Sequence, residues 1–162
     1  MAADYDVPAI RRTHDILRVL SDRPTPVKAA ELAQACQLPK STLYLLLDCL
    51  EQRRWIERRD GGYVIGLELM ALGSAYLRHD GLQPAFRQAA GAFVARSNEV
   101  VQLAALDGFD VVYLAREDAR RPVRLVSDLG LRLPAHACAL GKALLASLRP
   151  EELAACLPGA LP

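Results

Sequence analysis

The stretch from Leu38 to Leu50, Leu-Pro-Lys-Ser-Thr-Leu-Tyr-Leu-Leu-Leu-Asp-Cys-Leu, constrains this chain more than any other. Leu43, Leu46, Leu47 and Leu50 recur at i, i+3, i+4 and i+7, the apolar face of an amphipathic helix. Pro39 suits the first helical position, where no amide donor is needed. Lys40, Ser41 and Thr42 crowd the first turn. Free backbone N–H groups, two hydroxyls and an ammonium there make a seat for phosphate. Ser41, Leu45, Asp48 and Gln52 face outward, flanked by Tyr44. For such a helix in isolation, core packing with a solvated back is the simpler account, so the neighbouring segments decide.

Upstream, Ala9 to Ser21 reads as a first helix with Ile10, Ile16, Leu17 and Leu20 as its inner stripe, and Arg12 is a candidate DNA contact. Arg23-Pro24-Thr25-Pro26 breaks it. Ala29 to Cys36 forms a short second helix, and Gln37-Leu38-Pro39 turns tightly into the third. Two short helices joined this way, the second polar-tipped at its start, outline a helix-turn-helix. Downstream, Trp55 to Arg59 and Tyr63 to Ile65 flank Asp60-Gly61-Gly62, the pattern of a β-hairpin. A hairpin directly after a helix-turn-helix is a wing, and Arg58 and Arg59 on it could straddle a phosphate backbone. Taken alone, the same arginines would be a solvated edge that discourages strand addition.

After Gly66 the periodicity predicts a helix from Leu67 to Arg78, apolar over most of its girth. Leu67, Leu69, Met70, Leu72 and Tyr76 are its candidate dimerisation residues, because one small winged domain cannot bury them all. Leu82 to Ser97 forms another helix. The period then shortens. Val100–Leu106 and Val111–Ala115 read as a hairpin, Val123–Asp128 as a third strand, and Leu133-Pro134-Ala135-His136 as extended chain. Leu140–Ser147 and a segment opening at Pro150 return to helix. The expected fold is a mostly α winged helix-turn-helix, then a linker helix, then an α+β region with an open sheet edge.

Charge decides less than pattern. The 162 residues carry a formal net charge of +1, and acids and bases balance in each half. Any nucleic-acid footprint is therefore a local patch. Cys36, Cys49, Cys138 and Cys156 are widely spaced, three of them within apolar helical patterns. They read as buried thiols of a reducing compartment and not as a disulfide frame or a metal site. No signal peptide or membrane-length apolar run is present, so a cytoplasmic protein without membrane partners is expected.

In order along the chain, Ala30-Glu31-Leu32-Ala33, Leu38 to Thr42, Asp60-Gly61-Gly62-Tyr63, Leu69 to Leu77, Val111-Val112-Tyr113-Leu114, Pro122 to Val126, Leu133 to His136 and Gly141 to Ala146 resemble the IclR family of bacterial transcription regulators. The resemblance implies a winged helix-turn-helix over residues 1–66, a linker and dimerisation helix over 67–81, and a partial GAF-like effector-binding domain over 82–162. It implies a homodimer or tetramer on double-stranded operator DNA, with Lys40, Ser41, Thr42, Tyr44, Leu45, Arg58 and Arg59 among the contacts. It also implies a small organic-acid effector, no cofactor, no metal and no enzymatic activity.

Three departures from the family pattern bear on function. Leu45 stands where an arginine is common and Asp48 where a small residue is. Leucine offers only apolar contact, for instance to a thymine methyl, and Asp48 repels phosphate unless it accepts from a cytosine amine. Lys28 stands where a serine or threonine often caps the second helix. The family's effector domain runs well beyond a position like Pro162, so a truncated or fragmentary chain that binds its effector weakly is expected.

Resemblance places the effector carboxylate near the amides of Ala139, Leu140 and Gly141, with His136 and Cys138 adjoining. A helix start there would favour an anion. A catalytic Cys138–His136 pair is the enzymatic alternative, but no orienting third group accompanies it. The other alternative is a winged-helix protein–protein module that binds DNA weakly or not at all.

Overall fold

The computed structural model describes residues 6–79, 81–120 and 129–156. The chain forms two compact units, Met1–Tyr76 and Leu77–Pro162. The division falls within the fourth helix.

In the first unit, α1 (Pro8–Ser21), α2 (Ala29–Ala35) and α3 (Lys40–Gln52) are followed by a hairpin of β1 (Ile56–Arg59) and β2 (Gly62–Ile65). Ile16, Leu20, Val27, Leu32, Leu43, Leu47, Leu50, Ile56 and Tyr63 form one core. Ile10, expected in the inner stripe, is 68% exposed. Helix α1 starts at Pro8, so its first turn projects past the core that Ile16 and Leu20 fill. Pro39 is the N-cap of α3 and not its first helical residue.

Backbone capping sets the turns. Gln37 adopts a left-handed φ of 52°. The Gln37 amide donates to the Gln34 carbonyl and the Leu38 amide to the Ala33 carbonyl, a Schellman closure of α2. The same closure ends α3, with Arg54 left-handed and the Trp55 amide donating to Leu50 at 3.0 Å. The hairpin loop is Asp60-Gly61, both with positive φ, as a two-residue primed turn requires. Arg59 pairs with Gly62 across it. Val27 and Tyr63 exchange both backbone hydrogen bonds, at 2.8 and 3.0 Å, so the α1–α2 connection anchors the hairpin. α4 (Leu67–His79) begins against β1 and the turn before it, where the Leu67 amide donates to Glu57 Oε1 at 3.2 Å and the Glu68 amide to the Arg54 carbonyl at 3.3 Å.

In the second unit, α5 (Leu82–Ser97) precedes an antiparallel sheet in the order β3 (Val101–Asp107), β4 (Asp110–Glu117), β5 (Arg132–Pro134). Helices α5 and α6 (Ala139–Ala146) pack on β3 and β4. α7 (Pro150–Cys156) follows. Val111, Tyr113, Ala90, Ala135 and Gly141 are buried. The expected strand Val123–Asp128 lies outside the described residues. The extended run predicted through His136 stops at Pro134, and Ala135–Ala137 is a 3-10 turn. The thiols also depart from expectation: Cys49 is exposed, while Cys36, Cys138 and Cys156 are half-buried. Cys49 lies on the helix face opposite Leu43, Leu47 and Leu50, where nothing covers it among the described residues.

Candidate nucleic-acid interface and effector site

Helix α3 turns Leu43, Leu47 and Leu50 into the core, which leaves Lys40, Ser41, Tyr44, Leu45, Asp48, Cys49 and Gln52 on its solvent side. Leu45 is 69% exposed. Thr42 is half-buried beside this face, and Arg12 is half-buried on α1. The first turn of α3 carries no side-chain cap, so its amides remain open to an acceptor.

The wing arginines are exposed but engaged. Arg58 donates to the Tyr63 hydroxyl at 2.8 Å, lies 5.2 Å from that ring's centroid and approaches Glu51 of α3 at 3.9 Å. The Tyr63 hydrogen bond first, then the Glu51 and more weakly the Asp48 carboxylates, raise the Arg58 pKa above its ordinary value. Arg59 pairs with Glu57 at 3.3 Å. The arginine cluster read as free phosphate contacts is thus partly tied to the hairpin and to α3. Glu51 and Tyr63, which hold Arg58, escaped the sequence reading. They lie seven residues before it and five after it, and only the hairpin register brings Arg58 opposite Tyr63.

On α4, Leu67, Met70, Leu72 and Tyr76 are exposed and Leu69 is half-buried.

In the second unit, Cys138 is the N-cap of α6, its Sγ accepting from the Gly141 amide at 3.4 Å. Ala139 is exposed, Leu140 half-buried and Gly141 buried. A Cβ on Gly141 would lie 2.1 Å from the Ala135 carbonyl oxygen, so this close approach demands glycine. His136 stacks on Phe109 with centroids 5.1 Å apart, and its buried Nδ1 has no hydrogen-bond partner among the described residues. Tyr113 lies beside Cys138, and burial first, then Cys138, raises the Tyr113 pKa. The side chain beside Cys138 is therefore a tyrosine from β4, and His136 turns to Phe109. A cavity of about 610 Å³ in this unit is lined by Val94, Asn98, Glu117 and Arg120 among others, and by none of residues 136–141.

Residues 9–60 match the family described as the IclR helix-turn-helix domain, and residues 74–161 match the bacterial transcriptional regulator IclR C-terminal domain. The HTH-type transcriptional regulator XynR of Escherichia coli is 28% identical over 94% of this chain and 62% of its own length. The probable transcriptional regulator SauR of Cupriavidus necator is 34% identical over 91% of this chain and 60% of its own. An IclR homologue from Microbacterium hydrocarbonoxydans, solved in complex with 4-hydroxybenzoate, is 28% identical with a TM-score of 0.74, over 88% of this chain and 60% of that one. The chain thus spans about three-fifths of the length of these relatives. Among the described residues no helix is long and apolar enough to cross a membrane.

Proposed function

The chain belongs to the IclR family of bacterial transcriptional regulators, and on that premise we propose that it is a sequence-specific regulator that binds double-stranded DNA and responds to a small organic acid. The observation that carries this is the solvent side of α3. Its polar first turn, with Lys40, Ser41 and open amides, continues into Tyr44 and Leu45, beside a wing bearing Arg58 and Arg59. That arrangement presents a helix to the major groove with its N-terminus toward phosphate. Arg12 is assigned a backbone contact.

Two copies of α3 would read a two-fold operator. The exposed Leu67, Met70, Leu72 and Tyr76 of α4, with Leu69, are the surface we assign to self-association, as a dimer or tetramer. The effector is assigned to the start of α6, where the Ala139 and Leu140 amides and the helix dipole favour a carboxylate, beside Gly141, whose own amide is held by Cys138 Sγ. His136 and Cys138 line it without catalysing a reaction. The 4-hydroxybenzoate held by the Microbacterium relative supports an acid of that class. The protein is assigned to the cytoplasm.

The test is a titration of labelled upstream DNA at several salt concentrations. Affinity should fall steeply with salt, because each phosphate contact releases counterions, with a log–log slope of about −0.9 per contact. A flat response would instead mark a winged-helix protein-interaction module.

A further inference from the structure

We propose that Asp48 reads a base directly, accepting a hydrogen bond from the exocyclic amine of cytosine in the major groove. This rests on the DNA-binding reading above and adds the base chemistry that α3 can distinguish.

The starting point is what α3 lacks. Between Lys40 and Gln52 the only cationic side chain is Lys40, in the first turn. The helix therefore has no arginine with which to grip guanine O6 and N7, the commonest specific contact. Its groove-side stripe past the first turn is Tyr44, Leu45, Asp48 and Cys49. Residues three and four apart share a helix face, so Leu45 and Asp48 lie one above the other. Leu45 suits a thymine methyl. Asp48 is a pure acceptor and needs a base that donates; cytosine N4 is the matching edge.

An exposed carboxylate facing DNA is repelled by phosphate, and its retention there needs an account. Among the described residues Asp48 accepts no hydrogen bond, so its oxygens are open to a ligand. Its charge is nevertheless partly offset. Arg58 reaches back from the wing, fixed by the Tyr63 hydroxyl at 2.8 Å and near Glu51 at 3.9 Å. Its guanidinium also feels Asp48. Arg58 is thus a cation held against the acidic side of α3, which lowers the cost of placing Asp48 near phosphates. Glu51, in the last turn of α3, is half-buried, which leaves Asp48 as the acid presented outward.

The experiment is in vitro selection of binding sites from a random duplex pool by the full chain, repeated with Asp48→Ala and Asp48→Asn. Asp48 is exposed, and such surface changes leave the fold intact; matching circular dichroism melts would check that. The wild type should enrich a cytosine at one fixed position per half-site. Discrimination there should be about fivefold, the low end for a base contact because only one bond is made. Asp48→Ala should erase that preference and leave the rest of the site unchanged. Asp48→Asn should move it to adenine, whose N6 and N7 suit an amide, by about tenfold. Two outcomes would overturn the inference. Identical selected sites for all three proteins, with the variants simply binding more tightly, would mean that Asp48 only repels phosphate. An A·T pair selected by the wild type at the Asp48-dependent position, which offers no cytosine amine on either strand, would mean that the carboxylate does not read cytosine. A wild type that enriches no sequence at all would fail earlier, and would overturn the DNA-binding reading itself.

Discussion

Replacing Gly141 with alanine should destabilise the second unit although alanine is the better helix former. The added Cβ would sit 2.1 Å from the Ala135 oxygen, 2.4 Å from its Cα and 2.6 Å from its carbonyl carbon. All three are backbone atoms, so no rotamer change relieves the overlap. To reach ordinary van der Waals separation, α6 and the Ala135 turn must part by about 1 Å or more. That displacement would also loosen the Gly141 amide from Cys138 Sγ and disturb the neighbouring His136–Phe109 stack. Overpacking typically costs about 1–3 kcal/mol, and a clash with backbone belongs at the upper end. At about 3 kcal/mol, and about 4–8 °C per kcal/mol for a unit of this size, the midpoint of the second unit should drop by roughly 12–24 °C. Gly91, within α5, is the control: no described atom lies within 4 Å of a Cβ built there. Gly91→Ala should therefore raise stability by about 1 kcal/mol, the ordinary helix-propensity gain. Thermal melts followed by circular dichroism, with urea titrations for ΔG, would measure both. If Gly141→Ala melts with the wild type or above it, the close packing of α6 on the Ala135 turn is not what fixes glycine there.

Three further outcomes follow from named residues. Lys40→Ala should weaken DNA binding equally across sequences and flatten the log–log salt plot by about 0.9; a loss confined to one base position would contradict its phosphate role. Met70→Glu with Leu72→Glu should convert an α4-mediated dimer to monomers in sedimentation, because an apolar contact cannot accept two unpaired charges; an unchanged mass would move the interface elsewhere. Tyr113 is raised above its ordinary pKa of 10.0, by burial first and Cys138 second, so the folded unit holds the phenol proton more tightly than the unfolded chain. That stabilisation is complete below pH 10.0 and is lost as pH climbs through the raised value. Urea midpoints between about pH 8 and about pH 11 should therefore fall more steeply for wild type than for Tyr113→Phe, and parallel curves would refute the burial argument.

What the sequence by itself determined lies within short windows of chain. The leucine spacing after Lys40 specified which face of α3 is inward, because helical periodicity is a property of residues three and four apart. Asp60-Gly61 specified the wing turn, because two adjacent positive φ angles need residues that tolerate them. Only the tertiary structure decided what those faces meet. Ile10 has the right period for the inner stripe, yet the core ends at Ile16 and the first turn of α1 overhangs it. His136 and Cys138 are two residues apart, which on a strand would align them, but the 3-10 turn rotates one toward Phe109 while the other caps α6 beside Tyr113. Arg58 reads as a free wing cation, yet strand register places it over Tyr63 and near Glu51. Local backbone preference is written in neighbouring residues, whereas partners on different elements are chosen by register and packing, which depend on the whole unit at once.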